Sequence, residues 1–513
     1  MHTAPHSLAR TFAALALTAG FAHAQTPISG ALSDSTTGPL LAGVVYHATG
    51  NISVPIGETL TIQPGAIVKV AVGATTFNVN GTLLANGGSG AKVIFTSLRD
   101  DTAGGDTNGD LGATTPAKGN WRGINFGSSS DASTLTWCEV RYAGNAFVDA
   151  VDLASADVTL SNCTVRDSFA VGLSLSGNSQ PAVTSCSFTN NNGVAVGGAK
   201  INALPGFSAC TASGNGGNYI QVTDGLMTGD VSLTVDNLIG SVLWTTVSIT
   251  TPAGTTLTLG PGVVVKASGT NTVIVDGVLH ANGSAGSPVV FTSYPDDTAG
   301  GDTNGDLGAT TPAKGNWRGI NFGSSSDAST LTWCEVRYAG NAFVDAIDLA
   351  NADVTLSNCT VRDSFAVGMS LSSNSRPAVT SCSFTNNNGV AVGGAKIDAL
   401  PGFSGCTATG NGGNYIQVTD GLMTGDVSVA VNNLIGSVLW TTVSITAPTG
   451  STLTLGPGVV VKAGPTNTII VDGALHANGS SGSPVVFTSH PDDSVAGDTN
   501  GGGASSGAAG NWR

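Results

Sequence analysis

Four oxygen-bearing residues, Asp101, Asp106, Asn108 and Asp110, form the segment of the sequence best suited to chemistry. Oxygen ligands at alternate positions, with Gly109 between them to allow a tight turn, are what a hard cation such as Ca²⁺ requires. The segment is therefore a candidate calcium site. The alternative, which we favour at this point, is a polar turn without metal, because Asp, Asn and Gly favour turns for reasons of their own. An equivalent set follows later in the chain at Asp297, Asp302, Asn304 and Asp306.

A third copy of the acidic segment is incomplete. It keeps Asp493, Asp498 and Asn500, but Gly502 stands where the last carboxylate would be. The first copy also departs from a full EF-hand loop, because no glutamate follows at the distal position. We therefore expect the first two copies to be the better cation sites.

Asp149, Asp152, Arg166 and Asp167 are weaker candidates for catalysis. A glycoside hydrolase needs two carboxylates that flank the glycosidic bond, and Asp149, Asp152 and Asp167 offer carboxylates beside the basic Arg166. The spacing of these four residues permits neighbouring positions without demonstrating a site. The alternative, which we favour, is that they are solvated charges on turns.

Tryptophans Trp121, Trp137 and Trp244 each have a copy 196 residues later. They allow two interpretations. An exposed indole can stack on a sugar ring, whereas a buried one covers the edge of a core, which is the commoner use.

A regular series of cysteines, which we call the cysteine ladder, indicates the β-strands that must position these residues. Cys138, Cys163, Cys186 and Cys210 follow one another at intervals of 25, 23 and 24 residues, and apolar residues recur at fixed offsets from each. Spacing of two within a segment indicates a β-strand with one buried face. Recurrence of the whole pattern predicts an all-β solenoid with about 24 residues per coil, in which each coil stacks on the next.

The cysteine ladder leaves two states open for its thiols. Stacked coils lie about 4.8 Å apart, whereas the Cβ atoms of a disulfide lie about 3.8 Å apart. This mismatch favours free thiols that act as small apolar residues. Strained disulfides between coils remain the alternative.

A large internal duplication divides the chain. The segment 101–163 reappears almost verbatim as 297–359, and the start of the pattern returns once more after residue 450. We expect the third unit to be truncated, because the motif Asn-Trp-Arg at its end is followed by another strand in the complete units. The predicted organisation is a signal peptide (1–24), a lead-in and cap (25–57), unit 1 (58–254), unit 2 (255–450) and the truncated start of unit 3 (451–513).

The segment Val158–Val165, followed after a turn by Gly172–Leu175, resembles the repeat of right-handed parallel β-helix proteins of the pectin-lyase-like superfamily. The opening Leu60–Gly65 is similar to those of large secreted bacterial β-helix proteins. The resemblance implies a right-handed parallel β-helix. It leaves the activity open, because this superfamily holds lyases, hydrolases, epimerases and adhesins. The resemblance implies that a lyase would use an arginine or lysine base beside carboxylates that hold Ca²⁺.

The N-terminal segment and the net charge indicate where the protein is located and which partners it can bind. A short apolar run followed by Ala22-His23-Ala24 predicts a signal peptide that is cleaved after Ala24, and hence a secreted or cell-surface protein. A net charge of -15 disfavours nucleic acid as a partner. Extracellular glycans or other cell-surface components fit better, and no later segment is long and apolar enough to predict a transmembrane helix.

Near-verbatim duplication bears on function as well. One good site serves an enzyme, whereas a copied unit gives a spacer or an adhesive surface more reach and valency. We therefore expect a non-catalytic structural or adhesive rod, with no certain cofactor and Ca²⁺ as the candidate. The alternative is a polysaccharide-active lyase or hydrolase, or a glycan-binding β-helix protein.

Overall fold

Short parallel β-strands, stacked coil upon coil, make up the chain in a computed structural model that describes residues 25–145, 148–341, 344–499 and 503–513. The predicted signal peptide at residues 1–24 lies outside these ranges. The stack is a right-handed β-solenoid of about 19 turns with about 24 residues per turn, so the predicted fold class is confirmed. Among the described residues the helices are short 3₁₀ turns, at Ile201–Gly206, Val235–Asn237, Ile239–Ser241, Ile397–Gly402 and Val431–Asn433.

The strands pair in parallel from coil to coil, and within each unit they form three ladders that each supply one side of the coil. The first ladder contains Val45–Val54, Ile67–Val70, Val93–Ser97, Cys138–Arg141, Thr164–Arg166, Ser187–Thr189, Thr211–Ser213, Val242–Thr245, Val264–Ala267, Val289–Ser293, Cys334–Arg337, Thr360–Arg362, Ser383–Thr385, Thr407–Thr409, Val438–Thr441, Val460–Ala463 and Val486–Ser489. Strand Thr26–Ala31 pairs with Val45–Val54 at the start of the stack.

The second ladder contains Thr76–Val79, Gly123–Phe126, Val151–Ala154, Leu173–Ser176, Val194–Lys200, Gly217–Asp224, Ile249–Thr251, Thr272–Val275, Gly319–Phe322, Ile347–Ala350, Met369–Ser372, Val390–Lys396, Gly413–Asp420, Ile445–Ala447 and Ile469–Val471. The third contains Thr59–Ile62, Thr82–Asn86, Thr134–Thr136, Thr159–Ser161, Ala182–Thr184, Phe207–Ser208, Val231–Leu233, Thr256–Leu259, Val278–Asn282, Thr330–Thr332, Thr355–Ser357, Ala378–Thr380, Phe403–Ser404, Val427–Val429, Thr452–Leu455 and Ala474–Ala477. At the junctions Val242–Thr245 pairs with Gly217–Asp224 and Val438–Thr441 pairs with Gly413–Asp420, so the first ladder of each later unit continues from a second-ladder strand.

Register between coils aligns like residues into interior files. In the first ladder Val140 pairs with Val165, which pairs with Phe188, and all three are buried. Because side chains alternate along a strand, every second residue enters this interior. The result is one apolar core that runs from Leu32 to Val461 through the stack.

Residues in the left-handed conformation form the sharp bends between ladders. Trp137, Asn162, Ser185 and Ala209 have φ between 50° and 55°, and each directly precedes a cysteine of the ladder. This conformation costs about 1–2 kcal/mol for a residue other than glycine, and stacking of successive coils offsets it. The structure holds all eight cysteines as free thiols, seven of them buried and Cys210 partly exposed.

The two junctions between repeats have the same pairing. Val231 lies opposite Leu257 where unit 1 meets unit 2, and Val427 lies opposite Leu453 where unit 2 meets the third copy. Third-ladder strands therefore pair across both junctions. One coil earlier, no strand pairing of the described residues joins Phe207–Ser208 to Val231–Leu233 or Phe403–Ser404 to Val427–Val429.

One edge of the rod carries the long connections. We call it the loop edge, defined as the connections from the first ladder to the second, which in unit 1 are 98–122, 142–150, 167–172 and 190–193. The first of these contains the acidic segment, which we call the acidic loop (99–119). No helix in the described part of the chain is long and apolar enough to span a membrane.

Candidate functional site

The acidic loop begins at a buried carboxylate. Asp100 is fully buried and accepts hydrogen bonds from Thr96 at 2.6 Å and from Thr102 at 2.5 Å, while Arg141 Nη1 lies 3.1 Å from its Oδ2. Burial alone would raise the pKa of Asp100, but the hydrogen bonds from Thr102 and Thr96 and the charge of Arg141 hold this pKa below its ordinary value. Asp100 is therefore a structural anchor and is not part of the cation cluster.

A buried lysine lies beneath the acidic loop. Lys69 is fully buried on the outward face of the first ladder, and its Nζ donates to the carbonyl oxygen of Gly105 at 2.6 Å. Burial lowers the pKa of Lys69, while the nearby charges of Asp100, Asp101 and Asp106 act in the opposite direction. Lys69 thus ties the loop down over the preceding coils.

Three carboxylates meet above this lysine. Asp101, Asp106 and Asp110 each place an oxygen within 4.8 Å of the others. Asp106 accepts backbone N–H bonds from Gly109 at 2.7 Å and from Leu111 at 2.8 Å, so the loop folds around it. The structure therefore brings together the three predicted aspartates, as calcium coordination requires.

Asp101 is the member of the cluster that the loop leaves unsatisfied. Its Oδ1 atom is buried and accepts no hydrogen bond from the described residues. Burial and the charge of Asp106 raise the pKa of Asp101, against the opposing charge of Lys69. Three carboxylates and one ammonium leave an excess of two negative charges, which equals the charge of one divalent cation.

The second unit repeats this geometry. Asp297, Asp302 and Asp306 form the equivalent cluster, and the Oδ1 atom of Asp297 is again buried without a hydrogen bond. Beneath it Lys266 donates to the Gly301 carbonyl oxygen at 2.7 Å and to Thr303 at 2.9 Å. Desolvation by burial lowers the pKa of Lys266 to about 8.

The predicted asparagines serve the loop itself. Asn108 donates from its amide to Asp110 at 2.9 Å and to Thr114 at 3.1 Å. Asn304 makes the equivalent bonds to Asp306 and Thr310. Both asparagines therefore orient the last carboxylate of the cluster.

The third acidic loop has a weaker set. Asp493 again has a buried Oδ1 without a hydrogen bond, and Lys462 again lies below the loop. Asn500 and Gly502 lie outside the described residues. Because the sequence has Gly502 in place of the last carboxylate, this loop carries one negative charge fewer.

The carboxylates Asp149 and Asp152 lie together at the start of a second-ladder strand. Asp149 Oδ1 accepts a hydrogen bond from the backbone of Val171 at 3.0 Å. Burial raises the pKa of both, and the charge of Asp149 raises that of Asp152 further. Asp345 and Asp348 repeat the pair in unit 2 with the same direction of shift.

Arg166 and Asp167 belong to a different group of charges. Arg166 pairs with Asp167 and, through Nε, with Glu139 at 2.6 Å, and Glu139 also pairs with Arg141 at 2.9 Å. Among the described residues no ion pair or hydrogen bond joins this network to Asp149 or Asp152. The network links coils of the first ladder, so the four catalytic candidates do not form one constellation.

Several residues that matter at the loop edge were missing from the sequence-based prediction. Lys69, Lys266 and Lys462 each lie between two buried apolar residues of a strand, a position that alternation assigns to the outer face. Phe169 and Phe365 sit in apolar runs, yet each is about half exposed. Of the six tryptophans considered, Trp121, Trp317 and Trp244 are buried, Trp137 and Trp440 are partly exposed, and Trp333 is 38% exposed.

Comparisons with known proteins agree with this architecture. The chain is a right-handed parallel β-helix repeat protein, as its fold shows. Residues 318–490 match the family described as right handed beta helix region.

A solved structure is also similar in part, whereas a search of the curated proteins gave no match. This structure is the catalytic domain of a GH87 alpha-1,3-glucanase in complex with tetrasaccharides, with 11% identity and a TM-score of 0.18. The alignment covers 76% of the present chain and 63% of that domain. A likeness this weak carries no argument about activity.

Proposed function

We propose that the protein is a non-catalytic β-helix rod that acts as a structural or adhesive element outside the cell or at its surface. The observation that carries this proposal is the commitment of Arg166 and Asp167 to ion pairs with each other and with Glu139. The same pairs recur at Arg362, Asp363 and Glu335. Charges that hold neighbouring coils together are not available to bind and cleave a substrate.

The repeated architecture supports a role as a long spacer or an extended binding surface. Both unit junctions have the same strand pairing, and about 19 turns at about 4.8 Å each make a rod on the order of 90 Å long. An extended, duplicated surface suits multivalent contact. The predicted signal peptide at 1–24 supports a location of this rod outside the cytoplasm.

Incubation of the purified chain with acidic and neutral polysaccharides tests this role. We expect no release of reducing or unsaturated ends, and a steady release would overturn the proposal. Export is tested separately by expressing the full reading frame and sequencing the N-terminus of the extracellular product, which we expect to begin at Gln25.

The proposal includes calcium as a structural ion in the first two acidic loops. Its support is the buried, unsatisfied Oδ1 of Asp101 and of Asp297, together with the excess negative charge of each cluster. Binding only to the folded chain raises stability by about 2.7 kcal/mol at a hundredfold excess over Kd. We expect the melting temperature to fall when a chelator is added, and an unchanged value would remove calcium from the proposal.

A polysaccharide-active enzyme remains the second candidate function. The observation in its favour is the pair Asp149 and Asp152, because a raised pKa lets a carboxyl keep its proton to higher pH than an ordinary aspartate, as a general acid requires. If the polysaccharide assay shows turnover, Asp149→Asn combined with Asp345→Asn must abolish it for this candidate to stand.

A further inference from the structure

Two phenylalanines stand in solvent at the loop edge, one in each complete unit. Phe169 is 53% exposed and Phe365 is 51% exposed. Full burial of such a side chain stabilises a protein by about 1.5–3 kcal/mol. Because these two rings are half exposed, the folded chain lacks much of that stabilisation. Because the exposure recurs in both copies, it is a property of the unit.

Hydrogen bonds on both sides hold the backbone at Phe169 in place. The N–H of Phe169 donates to the carbonyl oxygen of Ala143 at 3.0 Å. On one side the N–H of Ser168 donates to the buried Asn191 at 2.9 Å, and on the other the N–H of Ala170 donates to the Ser168 hydroxyl at 3.1 Å. A ring on so constrained a turn loses little conformational freedom when it binds a ligand.

The end of the acidic loop packs against the same ring. Gly119 has φ of 78°, and a Cβ atom at this residue would lie 3.0 Å from the Cβ of Phe169. The equivalent contact joins Gly315 and Phe365 at 3.1 Å. Glycine is thus needed both for the backbone conformation and for the approach to the phenylalanine.

In unit 2 this arrangement encloses a partly open cavity of about 320 Å³. Its lining consists of Lys314, Gly315, Asn341 and Phe365. The volume lies at the small end of the range for ligand pockets, and an apolar surface with a few polar groups is their usual composition.

The polar groups at this cavity keep hydrogen-bonding capacity. Lys314 donates to Asn386 at 3.2 Å and to Asn388 at 2.9 Å, which leaves one of its three N–H groups without a partner among the described residues. Asn341 donates to the Gly269 carbonyl oxygen at 3.1 Å, and its Oδ1 accepts no hydrogen bond from the described residues. One donor and one acceptor therefore lie beside an exposed aromatic face.

We propose that Phe169 and Phe365 are the platforms of two equivalent binding sites for a neutral polysaccharide. A pyranose ring offers a flat apolar face that can stack on phenylalanine, and its hydroxyls can both donate and accept at the rim. The net charge of -15 and the adjacent acidic loops repel anionic sugars. The inference rests on the proposed adhesive role and names the partner for it.

Duplication gives these sites a defined separation. Each ladder gains seven strands between equivalent positions of the two units, so the two platforms lie about 34 Å apart along the rod. A single polysaccharide chain bound at one platform is thereby held near the other, which raises overall affinity without any new contact.

Affinity electrophoresis of the mature chain in gels that contain a soluble β-glucan, xylan or galactomannan, with polygalacturonate as the anionic comparison, tests the proposal. We expect at least one neutral polysaccharide to retard the wild type. The Phe169→Ala/Phe365→Ala variant is expected to bind at least tenfold more weakly, whereas Phe169→Trp/Phe365→Trp retains binding. The matched control is Leu226→Ala/Leu422→Ala, which removes two equally exposed and equally duplicated apolar side chains.

Three outcomes would overturn the inference. They are the absence of retardation by any neutral polysaccharide, equal retardation of the wild type and the Phe→Ala variant, and retardation by polygalacturonate alone. None of these requires catalysis, so the adhesive or spacer role is judged separately by the release of sugar ends. Circular dichroism of each variant shows whether the fold is retained.

Discussion

Lys266 donates from Nζ to the carbonyl oxygen of Gly301 at 2.7 Å while its side chain is completely buried. The contact holds the acidic loop against the first ladder. In turn, the loop places the negative charges of Asp296, Asp297 and Asp302 near the ammonium, and these charges favour its protonated form. The same lysine is present under all three loops, at Lys69, Lys266 and Lys462. In every unit, therefore, a buried lysine holds the acidic loop in place through a hydrogen bond to a loop carbonyl.

The first prediction concerns the dependence of stability on pH. The pKa of Lys266 is about 8 in the folded chain and 10.5 in its ordinary state, so the unfolded chain binds more protons between these values. Stability must therefore rise with pH across that window. We expect Lys266→Met to reduce the slope of melting temperature against pH between 8 and 9.5, measured in the presence of a chelator. Lys69 and Lys462 remain, so the slope is reduced and not abolished.

The exposed Lys92 gives the control for this experiment, because it lies 3.8 Å from Glu139 with much of its side chain in solvent. Lys92→Met should leave the slope as it is in the wild type. Parallel curves for the wild type and Lys266→Met would contradict the prediction.

The second prediction concerns the stoichiometry of calcium. The first two loops have three clustered carboxylates each, whereas Gly502 removes one from the third. We expect calorimetric titration to give two tightly bound ions per chain, one in Asp101→Asn and none in Asp101→Asn/Asp297→Asn. Asp230→Asn keeps the hydrogen bond to Thr256 and serves as the control. Three equivalent ions, or binding that survives the double substitution, would refute the assignment.

The third prediction concerns the buried ion pair between Arg141 and Asp100. Removing one partner of a buried pair costs about 3–5 kcal/mol, because the other charge is left without compensation. We expect Arg141→Met to destabilise the chain by an amount of this order, and Arg141→Met/Asp100→Asn to recover part of the loss. Chemical denaturation followed by circular dichroism measures both.

The same pair fixes a dependence on acid. The folded chain holds the pKa of Asp100 below its ordinary value of 3.8, so the stability from this carboxylate is present above that pH and is lost as pH falls further. An Arg141→Met variant with wild-type stability would contradict the role given to the pair.

The fourth prediction concerns the reactivity of the cysteine ladder. Burial raises the pKa of Cys138 well above its ordinary value. The hydrogen bond with Cys334, together with burial, raises the pKa of Cys359 to about 12, and the hydrogen bond with Cys359, together with burial, does the same for Cys382. Protonated, buried thiols react slowly. We expect a thiol reagent to label Cys210 first in the native chain, and the other seven only on unfolding.

Cys210→Ser is the matched variant for this measurement, since its counterpart Cys406 is buried. Native Cys210→Ser should incorporate almost no reagent. Rapid labelling of several thiols in the folded chain would show that the coils open more readily than their packing indicates.

The fifth prediction concerns the paired carboxylates Asp149 and Asp152. Both have raised pKa values in the folded chain, so they weaken stability at neutral pH and the cost is relieved as pH falls. We expect Asp152→Asn to raise the melting temperature at pH 7 and to have little effect at pH 4. A lower melting temperature at pH 7 would show that the two charges are compensated by a partner such as a bound cation.

Much of the fold could be predicted because its information is local and repeated. The cysteine interval defines the coil, and alternation within each segment identifies the interior file that Val140, Val165 and Phe188 share. The bend at Asn162 was also foreseeable, since asparagine tolerates the left-handed conformation that the structure shows there.

The candidate site was less predictable because its contacts are not periodic. Lys69 meets Gly105 across 36 residues, through an insertion that folds back over earlier coils, and nothing in the alternation of its strand marks it as buried. Phe169 stands in a run of small and apolar residues that favours the core, yet the turn at Ser168 directs it into solvent. The separation of Asp149 from Arg166 likewise depends on which ladder each strand joins.

The two junctions have the same strand pairing, Val231 with Leu257 and Val427 with Leu453, which affects how the gene can change in length. Because either junction can replace the other, in-frame recombination between the copies can insert or delete an entire unit and still leave every strand with a neighbour. Gene variants that differ by whole units should therefore all fold, and the distance spanned by their products should change in increments of about 34 Å.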